Sequence, residues 1–158
     1  MNKQEMISEL KVAAEYFQRS TRCLDEVDSS FAPKEPLFSV AKHVAHAAQT
    51  IDWFLDGAFR PQGFDLDFEK HDREVSACTS LTAARKWFDQ AISKAIETIS
   101  AKSDSELTEA LPEGPVMGGQ PRYAIIGAIT DHTAHHRGAL TVYSRLLGKV
   151  PPMPYMEA

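Results

Sequence analysis

Three of the six histidines in this chain crowd into one stretch, Pro121 to Leu147, PRYAIIGAITDHTAHHRGALTVYSRLL. The stretch reads as one long helix. On a 3.6-residue wheel, Ile125, Ile129, His132, His136, Leu140, Tyr143 and Leu147 share a face. His132 and His136 therefore fall inside the apolar stripe, one turn apart, with His135 at its edge and Arg137 on the far side. Two imidazoles so spaced project the same way and can clamp one metal ion, as in helix-borne His-x-x-x-His sites. The plainer alternative is a pair of core histidines, but each would then need its own buried hydrogen-bond partner.

A metal held by two histidines needs a further protein ligand to persist. AKHVAHAAQTIDWF offers two, His43 and His46, three residues apart and projecting from the same side of a helix. The wheel slightly prefers His43, nearer the apolar centre; His46 lies further round, beside Thr50 and Trp53. Three neutral imidazoles leave the ion's charge uncompensated and a coordination position open, the arrangement of a catalytic zinc. Water in that position is acidified towards neutrality and a thiol is deprotonated outright, so the same ligands serve hydrolysis or thiol transfer. Each ligand ring also needs an acceptor for its second N–H. Asp131, Asp52, Gln49 and Thr50 are near enough in sequence, although Asp131 points about 100° away from its neighbour His132. Tyr143 and Arg145 are candidates for substrate contact if the cleft runs towards them. His43 and His135 otherwise support the ligands or lie at the surface, and His71 is a loop residue.

Four amphipathic segments must position these groups. The first, from about Glu5 to Leu24, carries Met6, Leu10, Ala13, Ala14, Phe17 and Leu24 at helical intervals. Pro33 and Pro36 stiffen the connector to the second, which Ser39 caps and Arg60-Pro61-Gln62-Gly63 ends. The third starts at Ser80 and stops at Lys102-Ser103-Asp104, with a helical turn expected over Ser105 to Ala110. Pro121 suits the first turn of the histidine helix, and the prolines of KVPPMPYMEA end it. Between the second and third helices, GFDLDFEKHD alternates apolar and acidic residues, which predicts an extended piece packing Phe64, Leu66 and Phe68. Its acidic run starts like a calcium loop, but Lys70 stands where the glycine belongs and Ser76 where the closing glutamate belongs. Four long helices without a convincing sheet make an all-α, single-domain four-helix bundle over 1–158. The connector from about Arg60 to Thr79 is long for antiparallel neighbours and predicts a crossover. Trp53, Trp87 and Phe88 read as core or dimer-interface aromatics.

A net charge of −5 and no basic cluster argue against nucleic acid or an anionic membrane as partner. No window approaches the roughly 20 apolar residues of a membrane span. The polar, mixed-charge start MNKQEMISELK is unlike a secretory leader. Cys23 and Cys78 match no metal or redox spacing, so a cytoplasmic protein with free thiols is expected.

SVAKHVAHAAQTIDWFL, followed far downstream by HTAHHRGAL, resembles the DinB-like (DinB/YfiT) superfamily of metal-binding four-helix bundles. In that family a small-residue stretch on the second helix leads to a histidine, with an aromatic eight residues later; these fall on His46 and Phe54. Its second motif, His-x-x-x-His-x-Gly-Gln, falls on His132, His136 and Gly138, with Ala139 where glutamine is usual. The resemblance thus implies His46 rather than His43 as third ligand. It further implies a divalent ion, zinc or nickel, and homodimerisation. In some members it implies transfer of a low-molecular-weight thiol such as bacillithiol, mycothiol or glutathione to a small-molecule substrate. The function expected is a metal-dependent thiol S-transferase or hydrolase. The alternative is a non-catalytic metal- or ligand-binding bundle acting in stress response or protein interaction.

Overall fold

The computed structural model describes residues 1–156. Four long helices form the bundle: α1 (Lys3–Thr21), α2 (Val40–Phe59), α4 (Leu81–Ala101) and α6 (Ile125–Leu146). Two shorter ones, α3 (Phe68–Ala77) and α5 (Asp104–Thr108), lie in the connections. Side chains start most of them. Asn2 and Glu5 form a reciprocal capping box on α1, and Ser39, Asp67 and Ser80 accept backbone N–H groups at the starts of α2, α3 and α4. The histidine helix lacks a side-chain cap. It follows Pro121 and a 3₁₀ turn over Arg122–Ala124, and so begins four residues later than the wheel reading placed it. The last two residues of the proline-rich tail lie outside the described residues.

Hydrogen bonds between helices give the topology. Thr130 donates to Glu9 and Cys23 meets Ser144, so α1 and α6 run parallel. Gln18 donates to Asp89 and Lys3 to the Ser100 carbonyl, so α4 runs against α1. Trp87 donates to Asp52 and Lys94 to Asp56, so α2 and α4 run parallel. Parallel neighbours require the chain to return along the bundle between them, and the segment from Arg60 to Ser80 makes that crossover. α1 packs on α4 and α6, as does α2, leaving α1 opposite α2. The core between them holds Leu10, Phe17, Ile51, Leu55, Phe88, Ile99 and Ile125, with Phe17 and Phe88 stacked at 4.5 Å. Ala45, Ala47 and Ala48 on α2 are fully buried. Their small side chains let the neighbouring helices approach closely around the α2 histidines. Among the described residues, no helix is long and apolar enough to cross a membrane.

The crossover departs from the expected extended piece. Residues 64–67 carry no regular structure, and the acidic run continues into α3. A lone alternating run has no strand to pair with, whereas Asp67 supplies a cap for the helix that follows. Phe64 packs on α2, over Gly57, where a Cβ would collide with its ring. Leu66 is exposed, and so is most of Phe68, whose ring meets only Trp53 and His71 among the aromatic rings of the described residues. The carboxylate of Asp65 takes the Lys70 ammonium and the Asp67 N–H, so the run serves as turn and cap instead of a calcium loop. Lys42 ties α3 to α2 through Asp72 and Ser76. His71 consequently sits on α3, not in a loop.

Candidate metal centre

The antiparallel contact of α2 with α6 sets His46 opposite His132 and His136. One ligand-type nitrogen from each of the three lies within 4.8 Å of the other two. His132 and His136 face each other through their Nε2 atoms, 3.3 Å apart. Burial, aided by the neighbouring imidazoles, lowers His132 to about 4 and His136 to about 2. His46 is lowered too, by burial and then by the Lys42 ammonium. All three rings are therefore neutral at neutral pH and offer lone pairs, the state a metal ligand requires. Nitrogens about 2.05 Å from a tetrahedral ion stand about 3.3 Å apart, so the His132–His136 edge suits zinc-sized coordination. The donor set fits a divalent ion of the zinc and nickel class.

His43 joins the cluster from behind. Its Nδ1 lies 2.8 Å from Nδ1 of His136, and it is 8% exposed. Two such nitrogens share one proton. When His136 presents its Nε2 lone pair, its Nδ1 carries the proton and donates to His43, which fixes the ring's orientation. The wheel placed His43 nearer the apolar centre correctly. Deep burial is why it meets the rear of His136 while His46, further round, reaches the open side. Burial also lowers His43, to about 4.

The other expected groups divide. His135 is exposed and, with Asp131 and Phe38, lines a hollow over His46, His132 and His136. Tyr143 is buried and does not reach that hollow: its hydroxyl donates to the Phe38 carbonyl and its ring packs edge-on against His43. Arg145, exposed, donates to Thr141 on its own helix. Asp52 receives Trp87 and Lys94 on the opposite side of α2 and touches no histidine. Gln49 and Thr50 make no hydrogen bond to the histidines either. They line a second cavity of about 320 Å³ that reaches His46 and His132. Trp53 and Phe54 line it too, as do Phe38, Phe68, His71 and Asp72, and none of these last four is singled out as a site residue by the sequence. Arg137, expected to face solvent or form an ion pair, is half-buried with its guanidinium over the Tyr16 ring. Phe88 is in the core, whereas Trp53 and Trp87 are half-buried with indole N–H groups on Asp65 and Asp52.

Comparisons with known proteins agree with this architecture. The chain superposes on the mycothiol-dependent maleylpyruvate isomerase with a TM-score of 0.75 at 10% identity, over 89% of this chain and 61% of that one. It therefore spans less than two thirds of that relative's length. A single-substitution variant of the same isomerase gives 0.75 at 9% identity with the same coverage. YfiT from Bacillus subtilis, described as "a probable metal-dependent hydrolase with an unusual four-helix bundle topology", gives 0.72 at 13% identity, over 93% of this chain and 88% of that one. At these identities the likeness is one of fold. No curated protein matches the sequence closely enough to count as a relative. The DinB family model matches residues 1–158 in full, and the chain belongs to the DinB family.

Proposed function

We propose that this protein is a divalent-metal-dependent enzyme acting on a small molecule, as a low-molecular-weight-thiol S-transferase or a hydrolase. His46, His132 and His136 would hold zinc or nickel. The observation that carries the reading is the convergence of three neutral imidazole nitrogens beneath an open hollow. A bound ion there supplies a Lewis acid and an acidified water or thiol. The chain's own residues do the rest. His43 accepts the His136 Nδ1–H and holds that ring in the ligating tautomer. Tyr143 braces the Phe38 backbone and backs His43, fixing the wall between the hollow and the apolar cavity. Phe38 and Trp53 give the cavity beside His46 apolar walls. A fold shared with a mycothiol-dependent isomerase and with YfiT supports both reaction classes. Homodimerisation and a cytoplasmic location belong to the same proposal, and the mass in solution tests the first.

The test is metal analysis of protein purified without a nickel column. Turnover is then assayed with mycothiol, bacillithiol and glutathione against electrophiles, and with esters and amides alone. Stoichiometric metal and metal-dependent turnover support the proposal. Stoichiometric metal without turnover favours a non-catalytic binding bundle, and absence of metal affinity removes both readings.

A further inference from the structure

The cavity beside the histidines is walled mainly by aromatic rings, those of Phe38, Trp53, Phe54 and Phe68. Two polar residues of α2, Gln49 and Thr50, also line it and are only 6% and 7% exposed. Among the described residues, neither side chain has a hydrogen-bond partner. Nor are their polar atoms sealed into the protein, as the orphaned Thr133 hydroxyl is. Thr21, Thr108, Thr130 and Thr141 all bond back to carbonyls of their own helices, and Thr50 does not. A largely buried amide and hydroxyl that open only onto a cavity can bond water or a ligand that enters it, and a ligand that matches them replaces that water without losing their hydrogen bonds. An apolar hollow with a few convergent polar groups has the composition of a small-molecule site.

The charges narrow the ligand. No lysine or arginine lines this cavity, and apart from histidines its one ionisable side chain is Asp72, already engaged by Lys42. A carboxylate beside Gln49 and Thr50 would lose water and gain no side-chain cation there. The cation within its reach is the ion proposed on the histidines, and binding through that ion would not depend on Gln49 or Thr50. The Gln49 amide both donates and accepts, and so does the Thr50 hydroxyl. Together they match a neutral carbonyl or carboxamide.

We propose that this cavity binds an uncharged substrate through an aryl-sized apolar body, with Gln49 and Thr50 hydrogen-bonding a neutral carbonyl or amide group beside His46 and His132. Gln49 and Thr50 are then specificity-determining positions. The proposal rests on the metal-centre reading for where reaction occurs, but binding in the cavity stands independently of it.

Benzamide, benzoate and toluene are suitable probes, titrated into the protein while the Trp53 indole resonance is followed by NMR. Benzamide is expected to saturate and to bind more tightly than benzoate. Gln49→Leu and Thr50→Val should each weaken benzamide about threefold to tenfold, a net hydrogen bond's worth, while leaving toluene unchanged or tighter. Thr50→Ser, which restores the hydroxyl, should recover benzamide binding; this separates a polar contact from a packing defect. Unchanged benzamide affinity in both variants overturns the proposal. So does benzoate binding more tightly through the same two residues, or no saturable shift with any probe. Zinc titration of the same samples reads the metal centre separately. Lost zinc binding with intact benzamide binding fails that reading alone, and the converse fails this one alone.

Discussion

Gln49, Trp53 and His71 form a common wall between two cavities of nearly equal size, about 330 and 320 Å³, that treat their polar groups in opposite ways. In the first, the charges satisfy one another: Lys94 bridges Asp52 and Asp56, Lys70 holds Asp65, and Trp87 donates to Asp52. The Lys94 and Trp87 bonds tie α4 to α2, and the Trp53 indole N–H on the Asp65 carbonyl ties the crossover to it. In the second, Thr50, which does not reach the first, and the shared Gln49 have no hydrogen-bond partner among the described residues, and two of the clustered histidines form one end. Polar groups that find each other hold a fold together. Polar groups that face a cavity without a protein partner are available to a ligand that enters it.

The contrast can be broken in order of effect. His46→Ala, His132→Ala or His136→Ala should each cut zinc affinity on the order of a thousandfold or more, read by competition with a chromophoric chelator, because a lost ligand forfeits much of the binding free energy. The helical circular dichroism should persist in each. His43→Ala should be milder, about 10- to 100-fold, since it removes the support of a ligand and not a ligand.

Acid should act on the same cluster. In the folded chain His132 and His43 titrate near 4 and His136 near 2, against 6.5 when unperturbed. Above pH 6.5 both folded and unfolded forms are neutral and these groups contribute nothing. Below it, the unfolded chain takes up protons that the folded one refuses. The melting temperature of metal-free protein should therefore fall as pH drops from 6.5 to 4, and His136→Gln should flatten part of that slope.

On the paired side of Trp53 the effects should be structural and smaller. Gly57→Ala displaces Phe64 from α2 and should cost about 1–3 kcal/mol from the clash. About 1 kcal/mol of that is returned by alanine's helix propensity. Lys94→Ala should cost below about 1 kcal/mol, because its ion pairs are half-exposed. Zinc affinity should be unchanged in both, by the same chelator competition. A fall in zinc affinity on Lys94→Ala would erase the distinction between the two cavities.

Much of this was legible in the residues. The apolar periodicity around Leu10, Ile51, Phe88 and Ile129 marks the four bundle helices, and the length of the Arg60–Thr79 segment marks the crossover. His132 and His136 are legible as a pair because local helical geometry alone brings their rings together. α3 was not legible: of its ten residues only Val75 is buried, so it leaves almost no apolar stripe. Its one signal was Asp67, a capping residue ahead of a run without proline or glycine. The wheel slightly prefers His43 as third ligand, whereas the structure groups His46 with His132 and His136; the wheel could not decide this because both histidines face α6. Which ring meets the front of His136 and which the back depends on the crossing of two helices ninety positions apart. Phe38, and the cavity-lining place of His71, read from the sequence as a loop residue, were not legible for a similar reason, since both enter the cavity from connections whose path local pattern does not set.

The most direct measurement is an anomalous difference map at the zinc absorption edge from crystals of zinc-loaded protein. The account predicts one peak per chain, about 2.0–2.1 Å from a nitrogen of each of His46, His132 and His136, with His43 bonded to His136 and not to the ion. A peak coordinated by His43 in place of His46, or no peak among these rings, would contradict it.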